Sequence, residues 1–297
     1  DETPAPPLLR PKWTVPHTVP HSDPPHEPLT RVDEDKRRMS SPPSIMSLDI
    51  KKSTFVRSTT QIMKMAMVNE DAVMNISGKM LGDDNFTSLC NTVIASQRKI
   101  EILNAKMNDI GPKGAAAIAS LISKIKTLTH IRLNRNRIHN EGIMSIAKAI
   151  VSSQSTLRTL QLSYNSISDS GVSSLAMAIR SSSISFLQLS MNRITDVGAI
   201  ALFKALPGMK SIKSIYLNGN TGITDLSICT LANTLPLNLS IRLIRLDDCG
   251  ISTKGIQVGH DAVLENAKRG GKNTLLFFCC LHNSLTTHTP EQDWYTL

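Results

Sequence analysis

Aromatic residues make up only 4% of this 297-residue chain, with 2 Trp, 3 Tyr and 6 Phe. Platforms that stack nucleobases need several exposed rings interleaved with Lys and Arg. Nucleic acid is therefore possible as a partner but not favoured, although the net charge is +9. No apolar run approaches the roughly 20 residues that a bilayer-spanning helix needs, so no membrane span is expected. The greasiest stretch, Leu275 to Leu281, reads as a terminal strand. The 5 cysteines are an odd set without a C-x-x-C pair, which argues against a disulfide framework and favours a reducing, intracellular compartment. Nucleotide-binding, hydrolase, zincin and calcium-loop signatures are all missing, so no catalytic residue, metal or cofactor is expected. Proline is scarce except at one end, where 11 of 15 fall within residues 1–43.

What the chain does contain is a repeat. Leu160-x-Leu162-x-x-Asn165-x-Ile167-x-x-x-Gly171 recurs as Leu187-x-Leu189-x-x-Asn192-x-Ile194-x-x-x-Gly198. It recurs again as Ile131-x-Leu133-x-x-Asn136-x-Ile138-x-x-x-Gly142, and more loosely around Asn108, Asn220, Cys249 and Asn283. The anchors are spaced by 28, 29, 27, 28, 29 and 34 residues. Within one copy, Leu160 and Leu162 alternate with polar neighbours, as in a short strand with one buried face. An amide at Asn165 can both donate and accept, so it can satisfy backbone groups left unpaired where the chain bends. Stacked copies would then form a ladder of Asn108, Asn136, Asn165, Asn192, Asn220, Cys249 and Asn283. After the glycine, apolar residues recur at helical spacing, as in Val172, Leu175, Ala176 and Ile179. The fifth copy has one extra residue at Thr221-Gly222 and no helix-opening glycine, so a local bulge is expected there. Phe86, Leu89, Cys90, Val93 and Ile94, behind Asp83-Asp84 as an acidic N-cap, suit a helical lid on the open core.

This pattern resembles the ribonuclease-inhibitor-like class of leucine-rich repeats. The resemblance implies an α/β solenoid with a curved parallel sheet inside and helices outside. The expected organisation is an extended Pro-rich tail (1–50), a linker and N-terminal helical cap (51–98), a solenoid of about seven repeats (99–288) and a C-terminal tail (289–297). Within 51–98, the apolar residues at 62–68 suggest a short helix. The chain begins at Asp1, which is compatible with a cleaved leader such as a mitochondrial presequence.

Outward strand positions of such a sheet stack into columns. One column reads Asn104, Arg132, Gln161, Gln188, Tyr216 and Arg245; just past the strands come Arg135, Tyr164, Met191, Gly219 and Asp248. Phe186 precedes Leu187 on the same face. An aromatic and methionine cluster (Tyr164, Phe186, Met191, Tyr216) rimmed by Arg132, Arg135 and Arg245 has the composition of a protein-binding hot spot. Its N-terminal end is expected to be basic through His130, Arg132 and Arg135. The excess of Lys and Arg lies outside the tail, because residues 100–297 hold 20 Lys and Arg against 12 Asp and Glu. Partners are therefore expected to be other proteins in a large complex, with acidic surfaces. The resemblance fits a scaffold subunit of a cytoskeletal or ciliary assembly, then a mitochondrial one, with a Ran-type GTPase regulator and an RNA-associated subunit as alternatives.

Other clusters have plain readings. His17, His21 and His26 lie in the proline-rich tail without convergent geometry, and Lys36-Arg37-Arg38-Met39-Ser40 is a charge run. Asp247-Asp248 lacks an evident partner, and Lys268-Arg269-Gly270-Gly271-Lys272 reads as the loop before the last strand.

Overall fold

The computed structural model describes residues 72–270 and 277–279. Contacts divide the chain into two units, Asp1–Thr54 and Phe55–Leu297, and every described residue belongs to the second. The tail, the 62–68 segment, the His17/His21/His26 and Lys36–Ser40 clusters, and Asn283 lie outside the described residues.

Among the described residues there are eight three-residue strands, each with an apolar residue at its centre. They are β1 (Val73–Asn75), β2 (Ile102–Asn104), β3 (His130–Arg132), β4 (Thr159–Gln161), β5 (Phe186–Gln188), β6 (Ser214–Tyr216), β7 (Leu243–Arg245) and β8 (Phe277–Cys279). They form one parallel sheet in sequence order, each strand paired with the next. Register is fixed by the apolar centre of each strand, so Leu103, Ile131, Leu160, Leu187, Ile215 and Ile244 align in one buried row. A slip by one residue would turn that row to solvent.

Among the described residues seven α-helices follow the strands: α1 (Gly82–Ala95), α2 (Pro112–Lys124), α3 (His139–Ser152), α4 (Asp169–Ile179), α5 (Asp196–Ala205), α6 (Asp225–Thr234) and α7 (Thr253–Gly270). Each of α1 to α6 buries one stripe against the sheet; in α4 it is Gly171, Val172, Leu175, Ala176, Ala178 and Ile179. A continuous apolar core runs from Met74 to Ala262. Burying a Leu or Ile side chain stabilises by roughly 1.5–3 kcal/mol, and here each repeat supplies only part of the wall, so stability is shared between neighbours. Gly171 is required by close approach: a Cβ there would lie 2.6 Å from Ile143 Cγ2 and 2.7 Å from Asn140 Oδ1.

A ladder of amides runs from Asn108 to Asn220. Asn165 is fully buried, donates to the carbonyls of Leu133 (2.9 Å) and Leu162 (3.0 Å), and accepts from Ile138 N–H. Asn108, Asn136, Asn192 and Asn220 repeat this arrangement one turn of the solenoid apart. Cys249 takes the same place, its Sγ 3.6 Å from the Leu217 carbonyl, and burial pushes its thiol up to about 12, so it stays a neutral donor. The extra residue of the fifth copy is absorbed by a turn in which Ile223 N–H closes on the Asn220 carbonyl at 3.0 Å. Ser227 then stands where other repeats have glycine, fully buried, its hydroxyl donating to Thr224 O.

Three expectations are corrected. First, stacking begins before residue 99, because β1 pairs with β2 and α1 packs on α2 as a full repeat. The copy escaped notice because Lys79 replaces the amide. Second, Asp83 does not cap its own helix, whose preceding residue Leu81 makes no side-chain cap. Its carboxylate instead accepts from Gly111 N–H (2.7 Å) and Gly114 N–H (2.8 Å), at the start of the next repeat's helix. Asp169, Asp196 and Asp225 do the same for the following helices, and Asn140 does so with Ser168. A negative group at a helix N-terminus meets unpaired N–H donors and the positive end of the dipole, so this second ladder ties each repeat to its successor. Third, Lys268, Arg269 and Gly270 belong to the end of α7, not to a loop; Lys268 and Arg269 both approach Glu265 there.

Candidate protein-binding face

The register places the outward residues of the strands side by side, on the face opposite the helices. Asn104, Arg132, Gln161, Gln188, Tyr216 and Arg245 occupy one row across β2 to β7. Phe186 lies in the adjacent row with His130, Thr159 and Ser214. A third row stands just past the strands, where the chain turns toward the buried amides. Met107, Arg135, Tyr164, Met191 and Asp248 there have φ of 55°, 59°, 57°, 52° and 54°, with Gly219 at 73°. Left-handed backbone costs a non-glycine residue about 1–2 kcal/mol, and five such residues hold it here. The backbone ladder continues through them, with Tyr164 N–H donating to Ser190 O and Met191 N–H to Asn218 O. Sequence columns captured the positions but not this backbone state.

These rows bring the expected hot-spot residues together. Phe186 and Tyr216 pack with ring centroids 5.1 Å apart and their planes tilted by 42°. The Arg135 guanidinium lies 4.9 Å from the Tyr164 ring centre and that of Arg245 lies 5.8 Å from Tyr216. Tyr164 and Met191 are 40% and 38% exposed, whereas Phe186 and Tyr216 are half-buried by each other and by their neighbours. Rings and arginines already packed together lose little further freedom on binding, which favours affinity.

Between the strand row and the left-handed row lies a polar row: Lys106, Asn134, Ser163, Ser190, Asn218 and Asp247. Asn134 Oδ1 accepts from Ser163 N–H at 3.0 Å, and Ser190 Oγ donates to Asn218 Oδ1 at 2.6 Å. Asp247, expected to lack a partner, is buried and accepts from Arg245 Nε at 2.9 Å. His130 also departs from expectation. Burial, then the charges of Arg132 and Arg158, push its imidazole below the usual value, so at neutral pH it adds no charge to the basic end. Lys106 is lowered by burial and by Arg132. The basic end is therefore built from Lys106, Arg132, Arg135 and Arg158. Among the described residues no group of three His, Cys, Asp or Glu could hold a metal ion, and no helix is long and apolar enough to cross a membrane.

The Leucine Rich repeat family model matches residues 96–119, 124–147, 153–176 and 180–203. With the register, the amide ladder and the full helix in each repeat, this defines the chain as a leucine-rich repeat protein. More narrowly, it belongs to the ribonuclease-inhibitor-like class, with a strand and a full α-helix in each unit of about 28 residues. It is 29% identical over 140 residues to RAN GTPase-activating protein 2 of Arabidopsis thaliana, covering 47% of this chain and 21% of that protein. The chain thus spans about a fifth of that relative's length. Among solved structures it is similar to leiomodin-1 actin-binding site 2 (TM-score 0.43, 17% identity, 52% of this chain and 88% of that one). It is similar also to the tropomodulin C-terminal domain of Caenorhabditis elegans (TM-score 0.43, 19% identity, 52% and 94%).

Proposed function

We propose that this protein is a non-catalytic scaffold that docks a partner protein on the sheet face, within a large intracellular assembly. The observation that carries the reading is the placing of Tyr164, Phe186, Met191 and Tyr216 on successive repeats of one face, with Phe186 against Tyr216, Arg135 over Tyr164 and Arg245 over Tyr216. Large rigid aromatics flanked by arginine are the side chains that dominate binding energy where partners meet. Arg132, Gln161 and Gln188 supply polar contacts around them. The excess of cations supports partners with acidic surfaces, of which cytoskeletal polymers, ciliary ones first, are the preferred class and a mitochondrial complex the next.

The test replaces the cluster without touching the core. Phe186→Asp with Tyr216→Asp removes co-purification of partners from cells expressing the full chain, while the far-ultraviolet circular dichroism spectrum stays that of the parent. Undiminished co-purification would move the interface away from the sheet face. The 29% identity to a RAN GTPase-activating protein favours a second reading, regulation of a small GTPase by the same face. Single-turnover GTP hydrolysis by candidate small GTPases, with and without the chain, separates the two: acceleration selects the regulator.

A further inference from the structure

Along the edge of the sheet face that follows the strands the charges are segregated, whereas on the opposite edge Lys213 and Arg242, just before β6 and β7, also form no ion pair among the described residues. At the β2–β3 end, Lys106 and Arg132 stand close enough for Arg132 to lower the lysine's affinity for its proton. Neither forms an ion pair among the described residues, and Arg132 Nε is buried without a hydrogen-bond partner. Glu101 acts on His130 at the leading edge of these strands, but Arg132 and Arg158 outweigh it there. Arg135, past β3, is engaged with Tyr164, and Arg245, on β7, with Tyr216 and Asp247. At the β7 end, Asp248 is exposed and forms no ion pair among the described residues. Along that edge Lys106 and Arg132 at one end and Asp248 at the other, none ion-paired among the described residues, therefore flank an aromatic centre. From β3 to β7 there are four strand spacings of about 4.8 Å, or roughly 19 Å.

The geometry points to an oriented polypeptide ligand: a partner segment that crosses the strands with an acidic residue on Lys106 and Arg132, apolar side chains on Tyr164, Phe186 and Tyr216, and a basic residue on Asp248. This deepens the docking reading above and rests on it. A helix covers such a distance in about 13 residues at 1.5 Å each, and an extended segment in about six. Complementary charge at both ends fixes direction, because the reversed segment would place like charges together. A nucleic acid fits less well. Its phosphates would meet Asp248 at the far end, and of the central rings Phe186 and Tyr216 already pack on one another while Arg135 lies over Tyr164.

The experiment selects 12-residue and 16-residue peptides from a random displayed library on the full-length chain. Recovered sequences are expected to carry Asp or Glu toward one end, Lys or Arg toward the other, and Leu, Met, Phe or Tyr between. Lys106→Gln with Arg132→Gln weakens a recovered peptide about fivefold at low salt. Asp248→Asn weakens it about threefold, the range of partly exposed ion pairs, and asparagine keeps the left-handed backbone that position needs. Neutralising the peptide's acid abolishes the effect of the Lys106/Arg132 variant but not that of Asp248→Asn. The inference is overturned if recovered peptides lack charge polarity, if either variant changes affinity less than twofold, or if no peptide is recovered. It is overturned also if a 20-nucleotide poly(U) RNA binds more tightly than any peptide. Non-polar peptides that still lose binding with Phe186→Asp and Tyr216→Asp would remove the orientation and leave the docking face; peptides insensitive to every variant would remove both.

Discussion

Replacing Asn165 by alanine probes the device that makes one repeat hold the next. The amide is fully buried, donates to the carbonyls of Leu133, Leu162 and Ser163 at 2.9, 3.0 and 3.1 Å, and accepts from Ile138 N–H at 3.3 Å. Those losses are not equivalent. Leu133 O also receives Asn136 Nδ2 at 2.8 Å, and Leu162 O receives Asn192 Nδ2 at 3.0 Å, so each carbonyl keeps a partner after the substitution. The group left without this partner is the buried Ile138 N–H, and an unpaired buried donor costs about 1–3 kcal/mol. Adding the weakened carbonyls and the small void gives about 3 kcal/mol, less than four independent losses would sum to. Asn165→Cys should cost about half as much, because Cys249 already does this work in the repeat at β7 with a sulfur 3.6 Å from its carbonyl. Urea unfolding followed by circular dichroism reads the difference. With a slope of about 2–3 kcal/mol per M, alanine lowers the midpoint by roughly 1 M and cysteine by roughly 0.5 M. An alanine shift below about 0.3 M would refute the claim that the amide holds the bend.

Gly171→Ala should destabilise by about 1–3 kcal/mol through the clash with Ile143 and Asn140, although alanine in a helix ordinarily gains up to about 1 kcal/mol over glycine; a rise in melting temperature would contradict the packing. Asp196 tests the second ladder by pH. Burial raises its pKa, but hydrogen bonds from Thr224 and Ser227 outweigh that and leave the carboxyl below its ordinary 3.8. A lowered folded-state value stabilises above the unfolded value and is lost as pH falls through the folded one. The melting-temperature gap between the parent and Asp196→Asn should therefore be full at pH 6 and shrink below about pH 3.8; a gap that stays constant would show that the charge is irrelevant.

The parts of this fold visible in the chain were those in which one residue type answers one local demand. Asn136, Asn165 and Asn192 announce themselves because a buried bend needs a group that both donates and accepts. Leu160 and Leu162 do so because a strand with one buried face must alternate. What could not be seen depends on the register between repeats. Asp83 looked like the cap of its own helix, yet it satisfies Gly111 and Gly114, about one repeat downstream. The first repeat was hidden because Lys79 occupies the amide position while Met74 and Ile76 still fill the core. The binding-face columns were legible from strand alternation, and the packed pair Phe186–Tyr216 follows from them. The left-handed backbone at Arg135, Tyr164 and Met191 leaves no mark in composition, since glycine would have been the expected residue. The pairing of Arg245 with Asp247, and the absence of ion pairs at Lys106, Arg132 and Asp248 among the described residues, required the three-dimensional register.

Site-specific photo-cross-linking in cells tests the docking face most directly. A benzoyl-phenylalanine at Tyr164 or Met191, on the sheet face, is compared with one at Met144 or Met177, exposed on the helices. The account predicts partner adducts from the first pair and none from the second; adducts confined to the helix positions would contradict it.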